Sequence, residues 1–410
     1  MATKPASILD PDFQRCPFPT YQQVMKEGPV YFDESCGWYI VTSYDEVRKA
    51  AADTKTFSSV TGLLLVKTGP EQDEINKIYE AEGFLPVSTL VVSDPPDHSF
   101  HRSQVDKAFT ISRVKKMEIY LRTVVDEMLA EIIDAGHCEF VSQFAMKIPT
   151  YIIADQLGVP RSKFATFKRW SDAVIRESDP NNTQEQQAAI THTICELQNY
   201  FAEMIEVYRK DPADCILSDM VHAQDDGRYL TTVEIVSMVT QILTAGNDTT
   251  TAAMASGMYR MITTPGLEAK LRGDLDAIGN FVEEVLRYDA PVQGLWRRVT
   301  KATRIGDMDI PEGAMVHLRF GASNHDGCQF ADPDSFQPER KNARQHLTFG
   351  TGPHFCVGNQ LARAELRMTY SILLDRMKNF RLKGGDGGVT FNAHIFAHGV
   401  THMEIEFDRA

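Results

Sequence analysis

The sequence predicts a mainly α fold with small β-sheets, on three observations. The middle of the chain carries one very long helical run. Short strand-like runs stand near residues 28–60 and again at the C-terminus. No internal repeat, low-complexity tract or linker interrupts the 410 residues, so one domain spanning 1–410 is expected.

The elements follow in order. GPVYFDE (28–34) and GWYIVTS (37–43) are apolar runs bounded by glycine and acidic residues, the pattern of a hairpin. The stretch from Thr231 to Pro265 then opens on a capping-box pair, Thr231 and Glu234, and stops at a proline. At about 1.5 Å per residue this helix is roughly 50 Å long. It is apolar nearly all round, so it is expected to cross the middle of the protein. Next comes FVEEVLRYDAPVQ (281–293), where Glu284 and Arg287 share one helix face. As a surface ion pair they would contribute little. With Arg340 of FQPER (336–340) they would instead form a buried cluster. DMDIPEG (307–313) reads as a turn between strands, and GNQLARAELRMTYSILLDRM (358–377) as a helix. The last stretch, 384–407, reads as strands joined by tight turns. Its GGDGG precedes strand-like sequence and not a helix, which excludes a dinucleotide-binding loop.

Composition narrows the function. Hydrophobic residues make up 43% and charged residues 24%, ordinary values for a globular protein, and the net charge of −14 argues against nucleic acid and anionic membrane as partners. The N-terminus has no continuous apolar run, so neither a secretory signal nor a membrane anchor is expected, and the location is expected to be cytoplasmic. The seven cysteines are odd in number and contain no C-x-x-C pair, a poor basis for disulfides or zinc. Cys356 alone has unusual surroundings, FGTGPHFCVG (349–358). A buried cysteine in a glycine turn and a thiolate ligand held by backbone amides both suit that stretch.

AGNDTT (245–250) stands out within the long helix. Gly246 costs the helix about 1 kcal/mol relative to alanine, a cost accepted where something must approach the backbone. Asp248 and Thr249 form an acid–alcohol pair. Threonine on a helix can simply bond back to the preceding turn, or its hydroxyl can relay a proton.

Taken together, these stretches resemble the cytochrome P450 superfamily. FGTGPHFCVG resembles its cysteine-ligand loop, EVLR its conserved helix pair, FQPER its loop arginine and AGNDTT its oxygen-activation groove. DPPDHSFHR (94–102) is similar to its haem-contacting helix start. The order and separations match over essentially the whole chain. The resemblance implies the P450 fold, with haem b between a long central helix and the cysteine loop. It implies Cys356 as the axial thiolate of the iron, with Gly350 and Gly358 shaping its loop and Phe349 shielding the sulfur. Thiolate donation favours O–O cleavage. Ala245 and Gly246 would border the haem, and Asp248 and Thr249 would deliver protons. His98, Arg102, Arg297 and His354 would meet the propionates, with Arg298 an alternative to Arg297. His354 stands where many relatives carry arginine, so its pairing would depend on pH. Glu284, Arg287 and Arg340 would form the structural cluster.

The implied function is insertion of one oxygen atom from O2 into a C–H bond, with electrons from a separate ferredoxin and its reductase. Peroxide-driven oxygenation and non-enzymatic haem sensing are the alternatives. Positions that contact substrate in the family map onto Leu90, Gln241, Thr244, Ala245, Leu295 and Phe396. They suit a hydrophobic terpenoid, aromatic or steroid-like compound, with Gln241 and Thr244 as polar handles. Residues 60–84 are expected to cover the pocket. Lys107, Arg344, Arg363 and Arg367 are candidate docking cations, and a monomer is expected.

Overall fold

The computed structural model describes residues 7–61, 70–177 and 182–410. The chain packs as two compact units. One comprises residues up to Ser58, Val114–Pro149 and Asp248–Ala410; the other comprises Ser59–Arg113 and Thr150–Asn247.

The first unit is built on a five-stranded sheet. Its strand order is Val30–Asp33, Trp38–Val41, Met315–Leu318, Leu295–Val299, Phe57–Ser58. The expected hairpin is its first pair, antiparallel with Tyr31 opposite Ile40. Met315–Leu318 runs parallel to Trp38–Val41 and antiparallel to Leu295–Val299. Side chains alternate across the sheet, so the first two strands feed two cores. Val30, Val41, Val316 and Leu318 pack with Val47, Phe57 and Phe320 in one. Tyr31 and Ile40 pack with Ile8, Phe13, Tyr21 and Val24 in the other. Burying each such apolar side chain contributes about 1.5–3 kcal/mol.

The turn expected over 307–313 is divided. Met308–Ile310 is itself a strand, paired with Thr303–Ile305. The turn proper is Pro311–Gly313, with Gly313 at φ +83°. A second sheet joins Met377–Leu382, Val400–Arg409 and Val389–Phe391, with His137–Glu139 also paired to the long last strand. Two helices matter most for the site in this unit, Ile278–Tyr288 and Asn359–Arg376.

The second unit is helical. Phe164–Glu177 and Pro70–Glu82 both pack on Gln184–Lys210, whose start is capped reciprocally by Thr183 and Gln186. Of the segment expected to cover the pocket, residues 62–69 lie outside the described residues. The remainder forms the Pro70–Glu82 helix, held by His192 Nδ1 to Glu82 at 2.7 Å and by Asn199 Nδ2 donating to the Glu82 carbonyl at 2.7 Å.

The long helix is Thr232–Thr263, 32 residues. Its capping box forms as expected: Thr231 N donates to Glu234 Oε2 at 2.8 Å, and Glu234 N donates to Thr231 Oγ1 at 3.2 Å. The helix is not apolar and buried all round, however. Gln241, Thr244, Ala245, Asp248 and Thr249, spaced by three and four, form a stripe left open on one face. Among the described residues no helix is long and apolar enough to cross a membrane.

Candidate active site

The loop around Cys356 needs glycine at two positions. Gly350 and Gly352 adopt φ +69° and +71°, where a side chain is strained. At Gly352 a Cβ would also lie 2.9 Å from the Ala51 carbonyl oxygen. The loop closes with Cys356 N donating to the Phe349 carbonyl at 2.8 Å. Gly358 has an ordinary φ of −79°, so its contribution is room and not backbone torsion: a Cβ there would stand 4.0 Å from Cys356 Sγ. The Asn359–Arg376 helix starts immediately after and turns its positive end toward the loop. No disulfide joins any of the seven cysteines.

A buried network lies behind this loop. Arg363 Nε and Nη2 grip Glu283 at 2.6 and 3.0 Å. Arg363 Nη1 donates to Asn359 Oδ1 at 2.8 Å, and Asn359 Nδ2 donates to the Cys356 carbonyl at 2.7 Å. The guanidinium lies 4.5 Å from the Phe349 ring centroid. Arg363 is therefore not a docking cation; it is 5% exposed and committed to the interior. Lys107, Arg344 and Arg367 are exposed, as expected. His346 Nδ1 accepts from Thr348 N at 3.2 Å, so its proton sits on Nε2, which donates to Glu283 at 3.1 Å. Burial lowers the His346 pKa and keeps the ring neutral. Burial alone would raise the Glu283 pKa, but the hydrogen bonds from His346 and Arg363 and the arginine charge outweigh it and hold it at about 2.

The Glu284–Arg287–Arg340 cluster forms, and it is no surface pair. Glu284 and Arg287 are wholly buried, with Nε–Oε2 at 2.7 Å. Arg340 Nε stands 3.2 Å from both Glu284 oxygens. The two arginines also donate to the carbonyls of Asn324, Ala331, Asp332, Pro333 and Ser335, which pins the loop leading to the cysteine.

In the groove of the long helix, a Cβ on Gly246 would meet only Ile153, at an ordinary 3.8 Å. Packing within the protein therefore does not demand glycine there. Asn247 Nδ2 donates to Ser171 Oγ at 2.9 Å, so the buried amide ties the long helix to the Phe164–Glu177 helix.

Two residues expected as polar handles for substrate already hold hydrogen bonds. Gln241 spends one amide N–H and one oxygen lone pair within the protein. Its Nε2 donates to Thr89 Oγ1 at 2.8 Å and its Oε1 accepts from Val91 N at 3.2 Å. It clamps the turn carrying Leu90, whose φ of +34° is rare for leucine. Thr244 Oγ1 donates back to the Thr240 carbonyl at 3.0 Å, leaving only acceptor capacity. Leu295 and Phe396 belong to neighbouring segments, with Gln293 N donating to the Phe396 carbonyl at 2.8 Å.

Of the expected propionate partners, Arg297 is 3% exposed while Arg298 faces outward on the same strand. His98 is buried, and burial together with the Arg102 charge lowers its pKa. Arg102 Nε donates to Asp106 at 2.5 Å. His354 is half-buried.

Sequence reasoning missed Glu283 and Glu365 and gave Arg363 the wrong role. The available signal was charge inside an apolar run, LARAEL, on a helix buried on most of its surface. Glu365 is 3% exposed, and its Oε2 has no partner among the described residues. Burial pushes its pKa up to about 8. A raised folded-state pKa contributes stability that is fully present below the unfolded value, near 4.5, and is lost as pH rises through about 8. Glu365→Gln should therefore leave the thermal midpoint nearly unchanged at about pH 5. At about pH 9 it should stabilise the protein by up to about 5 kcal/mol. Equal shifts at both pH values, measured by thermal unfolding, would contradict this.

A family model for cytochrome P450 matches residues 63–392. The chain is 30% identical over 408 residues to the cytochrome P450 monooxygenase PikC of Streptomyces venezuelae, covering 98% of this chain and 93% of that protein. The solved structure of cytochrome P450 CREJ in complex with (4-ethylphenyl) dihydrogen phosphate aligns with a TM-score of 0.89 at 30% identity, over 99% of both chains. That of CYP109E1 from Bacillus megaterium in complex with corticosterone aligns with a TM-score of 0.85 at 28% identity, over 96% of this chain and 99% of the other. Agreement along nearly the full length, in sequence and backbone at once, is what common descent produces, and the chain belongs to the cytochrome P450 family of monooxygenases, which bind haem through an axial cysteine thiolate.

Proposed function

We propose that this chain inserts one atom of O2 into a C–H bond of a small to medium hydrophobic substrate. Electrons come from a separate ferredoxin and its reductase, and the enzyme acts as a cytoplasmic monomer. The observation that carries the reading is the open stripe of Ala245, Asp248 and Thr249 on the long helix, with Gly246 beside it and not required by packing.

The residues present fit a haem. Cys356 supplies a thiol outside any disulfide at the end of the glycine loop, and Arg297 is a buried cation suited to a propionate. When bound, the haem supplies the iron chemistry of oxygen activation. Cys356 would be its thiolate ligand, under the cover of Phe349. Arg297 and His354 would serve the propionates. Asp248 would take protons from solvent and Thr249 would hold one in place through its hydroxyl. Leu295 and Phe396 would supply apolar wall. The ligands of the two aligned structures, a steroid and an aryl phosphate, support a steroid-like or aromatic guest; a terpenoid suits the same apolar wall. Exposed Arg344 and Arg367 support docking of an acidic electron donor.

Thr249→Ala tests the relay. With ferredoxin supplying electrons, the variant should still consume O2. Product per electron should fall at least about tenfold, with hydrogen peroxide released in its place. An unchanged product yield would remove Thr249 from the mechanism. Native turnover with peroxide alone and none with ferredoxin would replace the monooxygenase reading by the peroxygenase one.

A further inference from the structure

We infer that Arg319 is a positioning residue for the substrate pocket, one that ties the segment carrying Leu295 to the segment carrying Phe396. The inference rests on the proposed reading that these two side chains form pocket wall.

Arg319 is 1% exposed and follows directly on the strand Met315–Leu318. Among the described residues it has no carboxylate partner and its Nε has no acceptor. Its guanidinium lies 5.2 Å from the Phe13 ring and 5.9 Å from the Tyr21 ring. A buried cation without a counter-ion is expensive, and a hydrophobe of similar volume would serve a purely space-filling role at least as well. What the charge accomplishes is specific. Nη1 donates to the Ile395 carbonyl at 3.0 Å, next to Phe396. The preceding residue, Leu318, is the strand partner of Leu295. One residue thus grips one wall segment by side chain and lies at the end of the strand that holds the other.

The surroundings leave little slack. Val292 bridges to Ala397, and His398 N donates to the Pro291 carbonyl at 2.9 Å. Gln293 receives a hydrogen bond from Tyr21 Oη, and its Nε2 donates to the Ala290 carbonyl at 2.7 Å. A Cβ at Gly294 would overlap the Leu318 carbonyl, and one at Gly321 would overlap Gln293 and Tyr21. Gly294 therefore lets its segment lie against the backbone of Leu318 and Arg319, and Gly321 makes room for the Gln293 and Tyr21 side chains. Arg319 and Tyr21 are the polar side chains that set where this closely packed pair comes to rest.

The test compares imidazole with phenylimidazole as optical probes of the ferric protein, in the native chain and in Arg319→Met. Imidazole binds the iron and reaches little of the wall; the added phenyl ring reaches it. The variant should bind imidazole within about twofold of native, while its phenylimidazole Kd shifts about tenfold, some 1.4 kcal/mol. Arg319→Lys, which keeps a buried donor, should recover part of that shift. Tyr21→Phe, a milder change, should move the same ratio by about two- to threefold and serves if Arg319→Met does not load haem. An unchanged ratio of the two affinities in the haem-loaded variants overturns the inference, whatever happens to thermal stability. A native protein that binds neither probe overturns the haem-site reading itself, and the inference falls with it.

Discussion

Arg287→Met is expected to cost about 3–5 kcal/mol and to yield protein with little haem. The side chain is fully buried, and its three nitrogens serve both Glu284 oxygens and the carbonyls of Asn324, Pro333 and Ser335. Methionine matches much of the volume but leaves those acceptors in the interior, with only Arg340 and the Gln337 N–H facing the carboxylate. Removing one partner of a buried pair has that magnitude because the other partner's desolvation is no longer offset. Against a total stability of about 5–15 kcal/mol, this approaches the loss of the fold. The damage concentrates in the segment over 324–345, because the lost carbonyl bonds end there, and that segment leads straight to Cys356. Arg287→Lys keeps the charge but lacks the planar fork, so it should fall between native and methionine. Urea unfolding and haem content per chain measure the effect. A methionine variant within about 1 kcal/mol of native and fully loaded would show the cluster to be dispensable.

The parts of this protein that were legible in the sequence share one property: their geometry is set within a few residues. The Thr231–Glu234 capping box, the hairpin ending at Val41 and the tight glycines at 350 and 352 each depend on neighbours close in the chain. Arg363 was misread because its partner, Glu283, lies 80 positions away on another helix. Periodicity can show that a position is buried, but it cannot show which carboxylate waits there. The bonds of Gln241 were hidden for the same reason: it looks like a wholly free amide until Thr89 and Val91, about 150 residues upstream, are brought against it. The strand at Met308–Ile310 was lost in a turn prediction because only two residues separate it from its pairing strand, which ends at Ile305. The long helix was correct in extent and wrong in surface. Alanine, threonine and a single aspartate do not distinguish a packed face from an open one, and the open stripe emerges only once its neighbours are in place.

Arg363→Met should loosen the cysteine loop without removing any proposed haem contact. The native arginine joins three things: the Glu283 carboxylate, the Asn359 amide that holds the Cys356 carbonyl, and the face of Phe349. Methionine keeps a contact with the ring and loses both hydrogen-bonded ends. Glu283 is then left with neutral His346 in a buried site, and the balance holding its pKa near 2 fails. The native Glu283 contributes stability that is fully present above its unfolded pKa, near 4.5, and is lost only as pH falls through about 2. Without Arg363 that protection against acid shrinks, so the variant should unfold at a higher pH than native. At neutral pH the cost should be about 3–5 kcal/mol. A general loss of stability is separated from a loop effect by working below the unfolding transition of both proteins. There, the reduced protein treated with carbon monoxide should show part of its absorption moved from the thiolate-type band to the thiol-type band. Arg363→Lys should show less of it, since one ammonium cannot serve Glu283 and Asn359 together. A methionine variant that keeps the full thiolate band and native acid stability would mean that the glycine loop alone holds Cys356, and that the network behind it is packing.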